Sequence, residues 1–373
     1  MIKKITLSIF SLLIITACSS HRFSRNDVKH AQKMYGLDFK GDKIKTMHGY
    51  LERNLSAYDS LRATPIDVNV FPALYFDPRP KDFKMPEAAE ANYEWQPEPV
   101  EMPENREKLA FFSIRQLAFL LKNQKITSVE LTKIYLNRIK KYDKQLEAVI
   151  TVTEDLALEQ ASKADAEIKN GNYKGLLHGI PYGVKDLMAV KGYKTTWGAA
   201  PYQDQQFAET ASVVKQLEAA GAVLIAKLVS GSLARGDVWF NGKTKNPWDL
   251  SQGASGSSAG SASATAAGLV AFSLGTETLG SIVSPSNKCG LSGLRPTYGR
   301  VSRTGVMSLS WSMDKVGTIC RSAEDCAIVF KYILGKTEDD KSIIEAPYSA
   351  NPARDIKSLK VAYLAADFKK DTS

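Results

Sequence analysis

Apolar and polar positions follow a clear period from residue 113 onward. Ser113-Ile-Arg-Gln116 and Thr127-Ser-Val-Glu130 have the spacing of capping boxes, in which a hydroxyl group and an amide or carboxylate satisfy the free backbone amides at a helix start. The second box precedes apolar residues that share one helical face, namely Leu131, Ile134, Tyr135, Ile139 and Tyr142. Two amphipathic helices are therefore predicted in this part of the chain.

The elements predicted further along the chain alternate between helices and strands. An alanine-rich segment over 154–170 and the segment 211–221 have the composition and period of helices. Short apolar runs typical of buried strands occur at 178–186, 222–227, 270–274 and 359–364. Because helices alternate with buried strands, the pattern predicts an α/β fold.

The first residues of the chain have the pattern of an export signal. Lys3 and Lys4 precede a mostly apolar segment, Ile5 to Thr16, which is too short to cross a bilayer. Ile15-Thr16-Ala17-Cys18 resembles a bacterial lipobox, which implies a signal peptide over 1–17 and attachment of lipid to Cys18. The residue after Cys18 is Ser19 rather than an aspartate, and this resembles the pattern of lipoproteins that are sent to the outer membrane. We therefore expect an exported lipoprotein of the bacterial cell envelope, on the periplasmic side of the outer membrane.

Residues 18–108 are predicted to form an extension ahead of the α/β domain, which we place at 109–373. Its first part, 19–64, has a helical and polar pattern with glycine breaks near 41 and 49. Eight of the fifteen prolines of the chain fall between Pro65 and Pro103, together with several aromatic residues. A flexible linker carries few aromatic residues, so part of this stretch is expected to pack on the domain that follows.

Composition narrows the class of protein. The chain has 373 residues, of which 44% are hydrophobic and 24% charged, and this is typical of a folded protein rather than a disordered or polytopic membrane protein. The net charge of +9 is spread along the chain, which favours a mildly basic solvated surface over nucleic-acid binding. The sequence leaves the oligomeric state open.

Potential metal ligands are few. With four histidines and four cysteines in the chain, we expect neither a metal nor another cofactor. The three cysteines that follow Cys18 are an odd number and form no CxxC motif, so they are predicted to be buried thiols; they are Cys289, Cys320 and Cys326.

A segment of very small residues is the strongest candidate for a functional site. All sixteen residues from Gly253 to Gly268 are Gly, Ala, Ser or Thr. The segment lacks the lysine of a phosphate-binding loop, but Gly256-Ser257-Ser258-Ala259-Gly260 fits the GxSxG pattern of a nucleophilic serine. All four histidines precede it, which excludes the chain order of a Ser-His-Asp α/β-hydrolase. Serine chemistry with another base remains, and lysine is the main candidate.

Five motifs, in order and at matching spacing, resemble the amidase signature family. They are GIPYGVKD (179–186), NPWD (246–249), GSSAGSASATAAGLV (256–270), GTETLGSIVSPSNKCGLSGLRPTYGRVS (275–302) and SMDKVGTICRSAEDCA (312–327). The resemblance implies a central mixed β-sheet covered by helices on both faces. It also implies a Ser-cisSer-Lys triad made of Lys185, Ser257 and Ser281.

The resemblance further implies how these residues work. Ser281 would form an acyl-enzyme, Ser257 would relay its proton to Lys185, and the amides of Thr278, Leu279, Gly280 and Ser281 would form the oxyanion hole. A free lysine has a pKa of about 10.4, so burial has to lower the pKa of Lys185 for it to act as a base near neutral pH. The family often has Gly or Asp at the position of Leu279 and Arg at that of Val283.

Three functions are compatible with these motifs. The leading one is an amidase that hydrolyses the carbon–nitrogen bond of a small carboxamide or of a peptide C-terminal amide. The second is a glutaminase-like subunit of a tRNA-dependent amidotransferase, against which the export signal argues. The third is a non-catalytic envelope protein with a truncated amidase fold, because 109–373 is shorter than the usual domain of that family.

Overall fold

The computed structural model describes residues 22–66, 70, 77, 79–85, 93–335, 339–348 and 355–369. The chain separates into two compact units, 1–67 and 68–373. The predicted signal peptide and Cys18 lie outside the described residues, and the domain boundaries after 17 and 108 stay predictions. Within the described ranges, no helix has both the length and the apolar character needed to span a bilayer.

The first unit contains the helices α1 (Arg25–Met34) and α2 (Asp42–Ala63). Ser24 and Asp27 form a capping box at the start of α1. Helix α2 continues through Gly49, so the break predicted there is wrong. A glycine inside a helix costs only about 1 kcal/mol relative to alanine, and the good helix formers around Gly49 outweigh that cost.

The second unit carries the helices and strands predicted from residue 113 onward. Its helices are α3 (Ile114–Lys122), α4 (Ser128–Leu146), α5 (Glu154–Lys169), α6 (Ser212–Ala219), α7 (Ala259–Ala266), α8 (Val283–Lys288), α9 (Ala323–Ile333) and α10 (Ala365–Phe368). Both predicted capping boxes are present, on Ser113 at the start of α3 and on Thr127 at the start of α4. Ahead of α3, the half-buried side chains of Trp95, Val100 and Met102 pack against the core of this unit.

A six-stranded mixed sheet forms the centre of this unit. Its strands are β1 (Val149–Val152), β2 (Pro181–Lys185), β3 (Val223–Leu228), β8 (Phe272–Glu277), β9 (Ser292–Leu294) and β10 (Lys315–Cys320). They lie in the order β1-β3-β2-β8-β10-β9, where β2 is parallel to both β3 and β8 and the other pairs are antiparallel. The helices flank this sheet, so the predicted α/β fold with a central mixed sheet is confirmed.

Four short strands form two hairpin-like pairs beside the sheet. They are β4 (Val238–Trp239), β5 (Gly242–Lys243), β6 (Lys245–Asn246) and β7 (Asp249–Gly253). The amide side chain of Asn246 and the indole of Trp248 donate to the backbone carbonyls of Lys288 and Cys289. These bonds attach the second pair to the end of α8.

The small-residue segment is helix α7 and the turn before it, and its composition follows from close backbone packing. Every residue of α7 is buried. A side chain at Gly260 would place its Cβ 2.3 Å from both the carbonyl of Ala148 and the amide nitrogen of Val229. The helix therefore contacts the sheet at backbone distance, which only residues without bulky side chains allow.

Two strand predictions differ from the structure. Strand β8 continues to Glu277, beyond the predicted strand end at residue 274, because Gly275–Glu277 pair with Lys315–Gly317 of β10. Residues 359–364 form no strand, although one was predicted there. Their apolar side chains are exposed, up to 86% for Val361, and no described strand lies alongside to supply hydrogen bonds.

Candidate active site

Lys185 is the last residue of β2, and its side chain is completely buried. Its Nζ lies 2.8 Å from Oγ of Ser257, 2.8 Å from Oγ1 of Thr276 and 3.4 Å from the carbonyl oxygen of Thr276. The rest of β2 is buried as well, so no water solvates this amine directly. Three oxygen atoms of the protein take the place of that water.

Burial lowers the pKa of Lys185 to about 7, while the negative charges of Asp314 and Glu277 act in the opposite direction. An ordinary lysine is charged until about pH 10.4. At neutral and mildly alkaline pH a large fraction of Lys185 is therefore an uncharged amine. Its lone pair can then accept a proton from the hydroxyl of Ser257, which lies 2.8 Å away.

Ser257 is buried, and the peptide bond between Gly256 and Ser257 is cis, as the family resemblance implies. The Ser257 carbonyl accepts a hydrogen bond of 3.0 Å from the amide of Gly231. A Cβ on Gly256 would lie 1.8 Å from the carbonyl oxygen of Gly236. The loop 231–236 therefore lies directly against the paired serines and requires a glycine at position 256.

The half-buried Ser281 is joined to the same serines through the backbone. Its carbonyl accepts a hydrogen bond of 3.1 Å from the amide of Ser258. The hydroxyl of Ser258 in turn donates to the carbonyl of Thr276 at 3.1 Å. Ser258 therefore links Ser281 to Thr276 by hydrogen bonds and to Ser257 through the chain. The Ser281 hydroxyl forms no hydrogen bond with another described residue. The structure thus brings Lys185 and Ser257 into contact and places the Ser281 backbone beside them.

The turn from Thr278 to Val283 carries the four residues predicted to form the oxyanion hole. The carboxylate of Glu277 accepts the amides of Ile282 at 2.7 Å and Val283 at 3.0 Å. Burial alone would raise the pKa of Glu277, but hydrogen bonds from the amides of Val283 and Ile282 lower it. Glu277 therefore stays ionised and holds the end of the turn.

Asp314 holds the start of the turn. Its buried carboxylate accepts the hydroxyl of Thr278 and the amides of Leu309 and Ser310. The turn is thus fixed at both ends by carboxylates, whereas the side chain of Leu279 between them is 80% exposed. The motifs gave no role to three further residues near Lys185 and the turn, namely Thr276, Asp314 and Lys227. Of these, only Lys227 could have been found from the sequence pattern. It is a charge inside the apolar run 222–228, and such a charge needs a partner.

That partner is Asp186. The Nζ of Lys227 lies 2.6 Å from Oδ1 of Asp186, and both side chains are completely buried. The other carboxylate oxygen of Asp186 accepts the amide of Thr196 at 2.8 Å and its hydroxyl at 2.6 Å. Lys227 stands beside Val184 in the β2–β3 register and therefore points to the sheet face opposite that of Lys185. The ion pair fixes the end of β2 from that face.

The remaining polar candidates have structural surroundings. His178 is buried between the carboxylate of Glu167, 3.0 Å from its Nε2, and the amide of Lys174, 3.1 Å from its Nδ1. Cys289, Cys320 and Cys326 are buried free thiols, as predicted. Within the described part of the chain, no three His, Cys, Asp or Glu side chains lie close enough together to hold a metal ion.

Comparisons with known proteins found a family model and curated relatives that match this chain. The family model described as Amidase matches residues 130–373. A glutamyl-tRNA(Gln) amidotransferase subunit of Thermoanaerobacter pseudethanolicus is 39% identical over 260 residues, covering 68% of this chain and 53% of that protein. The subunit of the same name from Acinetobacter baumannii is 42% identical over 256 residues, covering 67% of this chain and 52% of that protein.

A solved structure has the same fold over a similar share of the chain. The native peptide amidase from Stenotrophomonas maltophilia matches with a TM-score of 0.62 and 36% identity. The match covers 65% of this chain and 52% of that one. This chain spans about half the length of the curated relatives it matches.

The buried ion pair leads to a prediction of stability. Lys227→Met leaves the Asp186 carboxylate buried without its cation, and we expect the free energy of unfolding to fall by about 3–5 kcal/mol. Combining Lys227→Met with Asp186→Asn removes the unpaired charge and should restore a large part of the loss. Urea unfolding followed by circular dichroism measures both. A loss below about 1 kcal/mol in the single variant would contradict this role of the pair.

Proposed function

Because this chain belongs to the amidase family, we propose that it hydrolyses the carbon–nitrogen bond of a carboxamide through an acyl-enzyme on Ser281. The observation that carries the proposal is the buried contact of 2.8 Å between Lys185 and Ser257. A lysine without water and with a pKa of about 7 is suited to take protons, and a serine in direct contact with it is suited to pass them on.

The proposed reaction begins with proton transfer. Neutral Lys185 accepts the proton of the Ser257 hydroxyl while Ser257 takes the proton of Ser281. The Ser281 oxygen then attacks the carbonyl carbon, and the carbonyl oxygen becomes an anion that accepts hydrogen bonds from the amides of the turn 278–281. The amide nitrogen takes the proton back through Ser257 as the carbon–nitrogen bond breaks. Water, deprotonated by the same route, releases the acid from Ser281.

The surroundings of the turn favour an uncharged, apolar substrate. Leu279 is 80% exposed and Val283 is 43% exposed, on either side of Ser281. The family often has arginine at the position of Val283, and without that cation the site offers less to a substrate carboxylate. A small carboxamide or a peptide C-terminal amide with apolar neighbours fits this surface, and the likeness to a peptide amidase supports it.

The curated relatives support a second candidate, because both are named as subunits of a glutamyl-tRNA(Gln) amidotransferase. The chain would then work as the glutaminase-like component of a tRNA-dependent amidotransferase. Val283 counts against it, because glutamine carries a carboxylate that an arginine would bind. The predicted signal peptide also counts against it, since tRNA charging takes place in the cytoplasm.

We also propose that the protein is exported and anchored in the bacterial envelope through lipid on Cys18. Support comes from the lysines and the apolar segment of residues 1–17 and from the lipobox-like Ile15-Thr16-Ala17-Cys18. Acyl chains on one cysteine would hold the catalytic unit at the membrane surface without a spanning helix. The substrate would then be an amide present in the periplasm.

Replacing the proposed nucleophile tests the function. Ser281→Ala should lower the hydrolysis of an N-acylated peptide amide by about 10⁴-fold or more and abolish labelling by a fluorophosphonate, because no acyl-enzyme can form. Ser284→Ala is the matched control, since it removes an exposed hydroxyl three residues away and should keep activity.

Three results would change the assignment. Undiminished turnover in Ser281→Ala would contradict the proposed nucleophile. Release of ammonia from glutamine in preference to the peptide amide would favour the role in an amidotransferase. If the wild-type chain unfolds cooperatively but shows neither labelling nor turnover, the non-catalytic envelope protein would be favoured.

The lowered pKa of Lys185 predicts the pH dependence of the reaction. The base is the neutral amine, so kcat/KM should rise about tenfold per pH unit below 7 and this rise should end at about pH 8. Steady-state kinetics on an uncharged amide measures this limb without interference from the substrate. A midpoint about two units away from 7 would show that Lys185 is not the group that titrates.

The lipid anchor is tested separately from catalysis. Cys18→Ala should abolish incorporation of radiolabelled palmitate and move the protein from the membrane fraction to the soluble fraction. Ser20→Ala, a neighbouring change that leaves the cysteine, should behave as wild type. Labelling that persists in Cys18→Ala would rule out lipidation at this residue.

A further inference from the structure

Lys315 lies next to the turn that carries the predicted oxyanion hole. It is the first residue of β10, and the β8–β10 register places it directly opposite Glu277. Its half-buried side chain reaches across the strand end, and its Nζ donates a hydrogen bond of 3.2 Å to the carbonyl oxygen of Thr278. Neither the family motifs nor the sequence pattern gave this lysine a role.

The carboxylates around Lys315 are occupied by other donors. Glu277 accepts two amides of the turn and lies 3.4 Å from the guanidinium of Arg295. Asp314 accepts the Thr278 hydroxyl and two amides of the preceding loop. Among the described residues, no carboxylate lies within ion-pair distance of the Lys315 ammonium. Its observed partner is therefore the peptide carbonyl of Thr278.

This contact acts on the peptide unit that joins Thr278 to Leu279. In a trans peptide the carbonyl and the N–H point in opposite directions, so a cation that holds the Thr278 oxygen also fixes the direction of the Leu279 N–H. An ammonium bound to the carbonyl draws electron density from the peptide and makes the N–H a stronger donor, since hydrogen bonds in series strengthen one another.

We propose that Lys315 is a positioning residue of the oxyanion hole, which orients the Thr278–Leu279 peptide and strengthens the Leu279 amide as a donor to the anion. The inference rests on the proposed function, because it gives Lys315 a task only if an anion forms beside Ser281. It adds a residue that acts through the backbone and touches neither substrate nor nucleophile.

The charge of Lys315 depends on pH. Burial and the positive charge of Arg295 lower the pKa of Lys315, while the negative charges of Glu277 and Asp314 oppose this shift. Lys315 therefore loses its proton at a lower pH than an exposed lysine. Because Lys185 has to be neutral and Lys315 charged, kcat/KM should rise through the pKa of Lys185 and fall again at alkaline pH.

The first test measures the rate of Ser281 labelling by a fluorophosphonate and kcat for an uncharged amide, with the full chain. Lys315→Met should lower both by about tenfold, less than the ~10²–10³-fold loss expected when an oxyanion donor is removed outright. KM should change little, since the effect belongs to the transition state. Lys315→Arg should restore most of the rate, because its guanidinium can donate to the same carbonyl. Lys288→Met removes an exposed charge bonded to Gln252 and is the matched control.

The alkaline limb separates this role from a merely structural one. Arginine stays charged at all accessible pH values, so the fall in kcat/KM should move at least about one pH unit higher in Lys315→Arg. In Lys315→Met the fall should be absent. Parallel profiles in wild type and both variants would overturn the inference.

A measurement independent of catalysis uses the Leu279 amide itself. In ¹⁵N-leucine-labelled protein, the Leu279 signal is assigned through its loss in Leu279→Ile. Lys315→Met should move the Leu279 amide proton upfield, because the N–H is no longer polarised, while other leucine signals stay in place. An unchanged Leu279 signal would overturn the proposal even if the rate falls.

These outcomes distinguish a failure of the role of Lys315 from a failure of the proposed function. If wild type is labelled at Ser281 and Lys315→Met is labelled equally fast, the role of Lys315 is wrong and the proposed function stands. If wild type shows no labelling that depends on Ser281, the proposed function fails and the inference fails with it.

Discussion

The burial of Lys185 is the constraint on which the rest of the site depends. An amine without water is stable only when it is neutral or surrounded by oxygen acceptors, and this site provides for both states. Ser257 and the two oxygens of Thr276 receive its N–H groups, and its pKa of about 7 keeps much of it uncharged. Each of these partners has to be held within hydrogen-bond distance of Nζ of Lys185, and the surrounding structure fixes their positions.

Two kinds of interaction hold the partners in place. Backbone segments approach one another closely, as where Gly260 meets the backbone of Ala148 and Val229. Buried charges then fix the segments where the strands end: the Lys227–Asp186 pair holds the end of β2, and Glu277 and Asp314 hold the turn after β8. Close backbone packing holds α7 rigidly against the sheet with small side chains alone. The charged groups orient the loops that lie beyond the sheet through hydrogen bonds.

The sequence pattern correctly predicted features that depend on interactions between residues close together in the chain. The capping boxes at Ser113 and Thr127 were confirmed because their hydrogen bonds join residues only three positions apart. The prediction of a break at Gly49 was wrong, because neighbouring helix formers compensate for a single glycine. The predicted end of β8 was wrong for another reason: Gly275–Glu277 have turn-like composition but are held by pairing with β10. Residues 359–364 have a strand pattern without a described neighbour, and no strand forms.

The sequence by itself predicted serine chemistry with a base other than histidine, because all four histidines precede the GxSxG pattern, and the resemblance of its contiguous motifs to the amidase signature family implied the candidate residues Lys185, Ser257 and Ser281. Only the tertiary structure decided how these groups are tuned. The pKa of Lys185 depends on burial between strands, and Lys227 meets Asp186 from 41 positions away in the chain. Lys315 reaches Thr278 through the register of β10 on β8. Desolvation and long-range contact arise from packing, which a linear pattern does not contain.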